Sequence, residues 1–496
     1  MKTAAGALLS SIQLDRNSRV SVGVQLYQAL RELILSGGLK AGDRIPATRT
    51  LSKEIGVSRT TVIDAVDRLA AEGMLESKVG AGTFVSETLK RQWPPQIVSE
   101  TNATPIPKPR LSYTIRHAEG SFAPRAWLPH RAGSFVTALP ALDAFPVAHW
   151  ARISARHMRG ERELVMGYGE PKGFAPLRRA IAMHLRALKG ITSDPEQIYI
   201  TTGAQQAFSL IGRLFLNPGD RVWMENPGAS GARNAFLSEG AELVPVNVDC
   251  EGIVVEDGLK KAPHFRLAFV TPSHQQPLGH VMSLARRFAL LQAVEDAQGF
   301  VVEDDYDGEF HFGSSPQPAL RSIDKGECVI FVGTFSKSLF PSLRLGFTVV
   351  PHRMIEAFDR LFASWVSGPP TMTQAIVADF MDEGHFATHI RMMRRLYKAR
   401  FDSLFEASQV LKGAIDVQPT SGGFHTPAFL APELDEAKVI AQAAERDVTL
   451  MPLSRYCLAP ISRKGFALGF GSATPEEIRK GVEVLRGLPE VRKKLV

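Results

Sequence analysis

Cysteine is scarce: Cys250, Cys328 and Cys457 are the only three in 496 residues, and they lie far apart. That excludes a disulfide framework and any Cys-x-x-Cys metal site. Nowhere do eighteen consecutive apolar residues occur, so no membrane-spanning helix is expected. The first nine residues carry one lysine and a short apolar stretch. Asp15, Arg16 and Arg19 follow with no small-residue cleavage site, so no secretory signal is read there. A large excess of charge, low complexity and solenoid repeats are also missing, which excludes wholesale disorder and a repeat architecture. These absences lead us to expect a reduced, cytoplasmic protein with no membrane partner.

What is present is an ordinary globular composition, 44% hydrophobic and 22% charged. The length argues for more than one folding unit, since single cores stop growing at roughly 250–300 residues. There are 58 basic and 51 acidic residues, a net charge of +7, and +3 of it falls in residues 1–90. A basic front end permits nucleic-acid binding without demonstrating it.

Three textures divide the chain. Residues 1–86 include a compact, helix-patterned module. Residues 87–120 contain four prolines between Pro95 and Pro109 and read as an extended linker. From 121 to 496, short β-branched runs (197–201, 221–224, 267–271, 299–303, 328–333) alternate with helical patterns (173–188, 204–215, 284–298), as in an α/β fold with a mainly parallel sheet.

In the front module, apolar positions predict helices over 22–36, from about 48, and over 58–72 with Ser58 as cap. Residues 74–78 and 82–86 flank a Gly-Ala-Gly tip and predict a hairpin. Three helices and a hairpin make a winged helix-turn-helix of α+β type. Ser58, Arg59, Thr60 and Thr61 cluster at the start of the third helix, where small hydroxyls and an arginine suit a DNA major groove. Arg44, Arg49 and Lys78 are candidate phosphate anchors, with Gly82 at the tip. The string Ala-Gly-Asp-Arg-Ile-Pro-Ala-Thr-Arg-Thr-Leu-Ser-Lys-Glu-Ile-Gly-Val-Ser-Arg-Thr-Thr-Val (41–62), followed by Gly-Ala-Gly-Thr-Phe-Val, resembles the GntR family of bacterial repressors. The resemblance implies operator DNA as partner.

In the large module, Lys337 follows an apolar strand and is bracketed by Thr334, Ser336 and Ser338, with Arg344 seven residues on. A lysine suited to Schiff-base chemistry, with hydroxyls and an arginine for a phosphate, would look like this. The run Glu303-Asp304-Asp305-Tyr306-Asp307 fits either a metal-binding acid cluster or the partners of a pyridine ring. Only His311 accompanies it, so the metal reading is weaker and no metal is expected. Thr201-Thr202-Gly203-Ala204-Gln205 ends a strand and opens a helix, a phosphate-cradle pattern that is weak alone.

Together with Tyr168-Gly169-Glu170-Pro171-Lys172-Gly173, Glu225-Asn226-Pro227-Gly228, Thr271-Pro272-Ser273-His274-Gln275 and Ser421-Gly422-Gly423-Phe424-His425, these motifs resemble fold-type I pyridoxal-phosphate aminotransferases. A GntR-type reader joined to such a domain resembles the MocR (GabR-like) regulators. The resemblance implies pyridoxal 5'-phosphate held as an aldimine on Lys337, with Arg344, Thr334 and the Gly203-Ala204-Gln205 turn on the phosphate. It places Tyr306 on the ring hydroxyl and His274 among the cofactor contacts. Asp304 is taken as the pyridinium partner because it ends the strand, with Asp305 as runner-up. A head-to-tail homodimer and an amino-compound effector are also implied.

The sequence departs from the enzymes at four places. Ala229 stands where an aromatic covers the ring, and Gly231 where a GABA-responsive member has arginine. Residues 466–470 are apolar where a substrate-holding arginine is expected, leaving Arg455 and Arg463 as nearby substitutes. Gln276-Pro277-Leu278-Gly279 replaces Asn-Pro-x-Gly. These departures favour sensing over turnover, with no catalytic residue assigned, and argue against GABA. A sensor of the vitamin itself controlling vitamin B6 genes, or a competent aminotransferase with a DNA-binding head, are the alternatives.

Overall fold

The computed structural model describes residues 12–78, 81–88, 112–123, 131–160, 162–313 and 318–495. Residues 89–111 of the expected linker and Gly80 of the hairpin tip lie outside these. The chain forms two compact units, Met1–Pro109 and Arg110–Val496. Among the described residues, no helix is long and apolar enough to cross a membrane.

In the first unit, helices Val22–Leu35, Thr48–Ile55 and Arg59–Ala71 enclose one core. Leu26, Leu30, Ile34, Leu51, Val62, Ala65, Val66 and Leu69 are buried there, the i, i+3, i+4 and i+7 positions that the sequence pattern marks. The Ser58 side chain caps the third helix by accepting from the Thr61 amide. Strands β2 (Leu75–Lys78) and β3 (Gly82–Val85) form the hairpin. A two-residue strand, β1 (Arg44–Ile45), pairs antiparallel with β3 and was not legible in the sequence.

The second unit is built on an eight-stranded mixed sheet of order β4-β11-β10-β9-β8-β5-β6-β7. Its strands are β4 (Ile198–Thr201), β5 (Arg221–Asn226), β6 (Glu242–Asp249), β7 (Gly252–Ile253), β8 (Leu267–Val270), β9 (Phe300–Asp305), β10 (Val329–Thr334) and β11 (Gly346–Val349). The run β10-β9-β8-β5-β6 is parallel, whereas β11 is antiparallel to both of its neighbours. Both faces are covered. Phe269, Val302, Ile330 and Val332 pack with Phe208, Ile211 and Phe236 on one face. Ala268, Val270, Val301 and Val329 pack with Trp223, Leu290 and Val294 on the other. This two-sided burial is why the parallel strands read as unbroken apolar runs.

A smaller antiparallel sheet follows, β12-β13-β15-β14, from β12 (Ile415–Val417), β13 (His425–Leu430), β14 (Met451–Pro452) and β15 (Gly465–Gly469). The second unit also takes in residues that the sequence reading gave to the linker. Tyr113–Ala118 is helical, and the Asn234 side-chain amide both accepts from the Ala123 N–H and donates to its carbonyl at 2.8 Å.

Candidate functional site

Each unit carries its own candidate site. In the first, Arg44, Arg49, Ser58, Arg59, Thr60, Lys78 and Gly82 are exposed, and Thr61 is half-buried. Ser58 Oγ lies 2.8 Å from both the Thr60 and Thr61 hydroxyls, so part of the hydroxyl cluster is committed to capping the helix. Arg59 opens that helix and leans on Thr48 Oγ1 at 3.5 Å. Gly82 has φ +113°, and a Cβ there would lie 3.0 Å from Arg44 Nε. Its missing side chain therefore makes room for the Arg44 guanidinium. Lys78 lies over the Phe84 ring.

In the second unit, the C-terminal ends of the parallel strands deliver the chemistry, as open α/β sheets do. A cavity of about 250 Å³ is lined by Gly203, Ala204, Gln205, Asp304, Tyr306, Thr334, Lys337 and Arg344. Eight of the nine residues expected around a cofactor thus converge from three separate stretches of chain. His274 is the exception. It does not line the cavity but sits behind Tyr306, 3.0 Å from its hydroxyl.

Sequence reasoning missed further residues of this wall: Thr137, Gln276, His425 and Tyr456. His425 and Gln276 stand inside strings that the sequence marks but were given no role there, whereas no local pattern marks Thr137 or Tyr456. Arg455 lines a different cavity with Arg233, and Arg463 stacks on Phe429 at 3.8 Å, so neither substitutes for the missing arginine in this wall. His385 and His389, four apart in sequence, do not converge either: His385 bonds Glu383 and Arg152, while His389 is buried against Phe145.

The acidic run is sorted by strand alternation. β9 continues through Asp305, one residue beyond the expected end, so Asp304 does not terminate it. Neighbouring residues on a strand face opposite ways. Asp304 follows Val302 toward the cavity, whereas Asp305 turns to the other side and pairs with buried Lys189 at 2.6 Å. Burial works against the Lys189 charge, but Asp305, Glu309 and Glu303 outweigh it and hold the ammonium above the ordinary lysine range. Glu303 accepts from the Leu320 and Arg321 amides at 2.8 Å, a structural task.

Asp304 has no such partner: its Oδ1 is buried and unbonded among the described residues. Burial pushes its carboxyl well above the usual range, and Asp305, Asp307 and Glu225 add to that while Lys337 opposes it. Glu225, bonded by Thr271 and Gln275, is itself raised by burial to about 7. A carboxylate so placed favours a cationic group opposite it.

The anion-binding end is equally open. Among the described residues nothing pairs with the Arg344 guanidinium, and Arg344 sits at φ +50°, a left-handed backbone that bulky side chains rarely adopt. The helix Ala204–Phe215 begins at the same wall behind Gly203, φ +104°, and a Cβ on Gly346 would lie 2.9 Å from Gly203 Cα. Amides at that helix start, a guanidinium and the Thr334 hydroxyl suit a phosphate. The residues present therefore fit pyridoxal phosphate.

His274, Asp307 and His425 place ligand atoms within 4.8 Å of one another, in a buried group the sequence did not bring together. Burial, His274 and Lys337 push His425 well below its ordinary range, so its ring is neutral.

The raised Asp304 carboxyl carries a stability consequence. Its folded pKa lies above the unfolded one, so the folded state loses stability as pH rises out of the carboxylate range. In ligand-free protein at about pH 7, Asp304→Asn is expected to gain roughly 1 kcal/mol or more, and the gain should vanish below about pH 4. Thermal melts of the two ligand-free proteins across that range check this, with a neutral-pH loss as the contrary result.

The chain matches two families, aminotransferase class I and II over residues 140–485 and the gntR family of bacterial regulatory proteins over residues 23–85. The probable rhizopine catabolism regulatory protein MocR of Rhizobium meliloti is 40% identical over 477 residues, covering 95% of this chain and 94% of that protein. The pyridoxine biosynthesis transcriptional regulator PdxR of Corynebacterium glutamicum is 29% identical over 472 residues, covering 94% and 96%. Among solved structures, α-aminoadipate aminotransferase LysN of Thermus thermophilus, complexed with N-(5'-phosphopyridoxyl)-L-leucine, superposes with a TM-score of 0.68 at 28% identity. That match covers 77% of this chain and 95% of LysN.

Proposed function

The chain belongs to the MocR-like transcriptional regulators, a GntR helix-turn-helix domain joined to an aminotransferase class I and II domain, and from that premise we propose that it binds operator DNA and responds to a primary amine at Lys337. One observation carries the reading: Lys337, Asp304, Tyr306 and Arg344 meet in a single cavity of a chain that also bears a DNA-reading domain. When bound, pyridoxal phosphate supplies an aldehyde that condenses reversibly with amines. Lys337 would hold it covalently. Asp304 would keep its ring nitrogen protonated, Tyr306 would bond its ring oxygen, and Arg344, Thr334 and the Gly203–Gln205 turn would hold its phosphate.

The Lys337 ammonium, when it does not hold the cofactor, donates to the Ala138 carbonyl, and a primary amine would compete with it for the cofactor's aldehyde. Ala138 and Thr137 line the same wall as Tyr456 and His425 of the smaller sheet's side. Release at Lys337 is thereby tied to the position of that sheet, and a ligand preferring one position shifts the population. Head-to-tail dimerisation, with the stretch that precedes Arg110 as linker, would present two DNA readers to a repeated site.

Lys337 and Arg344 are the cationic side chains of the wall. With Arg344 on the phosphate and Lys337 at the reacting end, no further arginine or lysine among the described lining residues is left to pair with an effector carboxylate. This favours an amine whose far end is uncharged, or the cofactor itself as signal. Titrating holo-protein with candidate amines, while following the cofactor spectrum and operator affinity together, separates these. Spectrum and affinity moving together for one amine supports the amine-sensing reading. If they never move together and cofactor removal alone changes DNA binding, the vitamin itself is the signal. Sustained turnover with an amino donor would instead mark a working aminotransferase.

A further inference from the structure

We propose that the buried His274–Asp307 pair is a positioning device that turns the Tyr306 hydroxyl hydrogen into the cavity. This rests on the pyridoxal phosphate reading above.

One ring nitrogen is crowded. His274 Nδ1 lies 2.9 Å from Asp307 Oδ2 and 3.0 Å from the Tyr306 hydroxyl. A ring nitrogen offers a single in-plane position, either one N–H or one lone pair. Whichever of the two atoms holds the proton of the Asp307–His274 bond, that bond uses the position. Tyr306 can then share a hydrogen donated by Nδ1, but it cannot place its own there. Among the described residues no other acceptor bonds the hydroxyl, and Tyr306 lines the cavity. Its hydrogen is left for an occupant.

The surroundings are shaped around this pair. Gly423, φ +71°, comes from the loop before β13, and a Cβ on it would lie 2.3 Å from His274 Cε1 and 2.7 Å from Asp307 Oδ2. Gly279, φ +72°, comes from another loop, and a Cβ there would lie 3.1 Å from His274 Nε2. Thr420 Oγ1 meets Nε2 at 3.3 Å, and the His425 ring packs edge-on at 4.9 Å. Two left-handed glycines thus make space for a ring held from several sides.

The charged and titratable groups around Tyr306 agree with a donor role. Asp307, Asp304, Glu225 and Tyr456 face it, with the His425 ring centred 6.2 Å away. His274 is also faced by His425 and His280, Asp307 by Asp305 and Glu309, and Asp304 and His425 by Lys337. Burial first, then these acids, hold the phenol well above its ordinary range, so Tyr306 keeps its hydrogen at any working pH. A donated hydrogen bond favours the more anionic form of the occupant's oxygen. It therefore lowers the pH at which the cofactor's visible band changes.

The test is a pH titration of that band in holo-protein. Asp307→Ala frees Nδ1 to accept the Tyr306 hydrogen, and the midpoint should rise by about one unit. Adding His274→Phe removes the competing acceptor, and the midpoint should return toward the wild-type value. Simple loss of a nearby negative charge would lower the midpoint instead. A fall, no change, or a rise that persists in the double variant overturns the proposal. Should Asp307→Ala not fold, the tyrosine doublet in the Raman difference between cofactor-free wild type and Tyr306→Phe gives the answer. A hydroxyl that is not a strong donor there supports the device, and a donor-only signature overturns it. Absence of any visible band in the wild type would overturn the cofactor reading, and this inference with it.

Discussion

In Lys337→Ala, the visible band of bound pyridoxal phosphate disappears and borohydride fixes no cofactor to the protein, whereas the wild type carries the label on the one peptide containing Lys337. The expectation is all-or-none because, among the described residues, no other lysine lines the cavity. Lys189 is sealed behind β9 on Asp305, and Lys172 is paired with Glu196 and Asp359 at 2.9 and 2.8 Å. Neither can replace Lys337 without breaking those pairs. The non-covalent grip of Arg344, Asp304 and the helix start should survive, so the variant is expected to retain phosphate-dependent affinity while losing its response to amines. Peptide mapping after reduction decides the matter. A label on any other lysine contradicts the assignment.

The second large effect belongs to the DNA-reading unit. Arg59→Ala is expected to erase discrimination between operator and random DNA, a loss of about 1–3 kcal/mol per half-site and, over two half-sites, roughly 30-fold or more. Arg59 stands at the start of helix Arg59–Ala71, exposed, and among the described residues its side chain makes a long contact to Thr48 Oγ1. Lys78→Ala should weaken both DNAs alike and lower the salt dependence by about one counterion per head. Lys78 is exposed on the hairpin, on a different element from the reading helix. Competition binding at two salt concentrations separates the roles, and unchanged discrimination in Arg59→Ala would remove Arg59 from base contact.

Local pattern carried the parts of the molecule whose physics is local. The buried positions of the three front helices follow from 3.6-residue periodicity, and the strands β4, β5, β8, β9 and β10 from apolar runs. What stayed hidden depends on partners distant in sequence. β1 is two residues long and exists only because β3 pairs with it. The antiparallel run of β11 is set by two neighbours, not by its own Gly-Phe-Thr-Val. In the site, Lys337, Asp304, Tyr306 and Arg344 announced themselves through residue type and spacing. Gln276 and His425 stood in legible strings without an assigned place, and Thr137 and Tyr456 had no local signal at all, because only the fold brings these four to one wall. His274 stood inside a legible motif, yet its place behind Tyr306 required the pairing with Asp307 to be seen.

The alternation along β9 limits how this sequence can drift. Asp304 and Asp305 carry the same side chain, and only the side of the strand on which each falls divides their tasks. A single-residue deletion between Phe300 and Asp304 would shift that division, bringing Asp305 to the cavity side and Tyr306 to the side of Lys189. The cavity would keep an acid but lose Tyr306, and Lys189 would be left buried without its Asp305 partner. Lineages of this protein should therefore collect insertions in the loops before Phe300 and after Asp307, and tolerate conservative changes at Val301 and Val302. They should keep the length between Phe300 and Tyr306 unaltered, for as long as the pocket is in use.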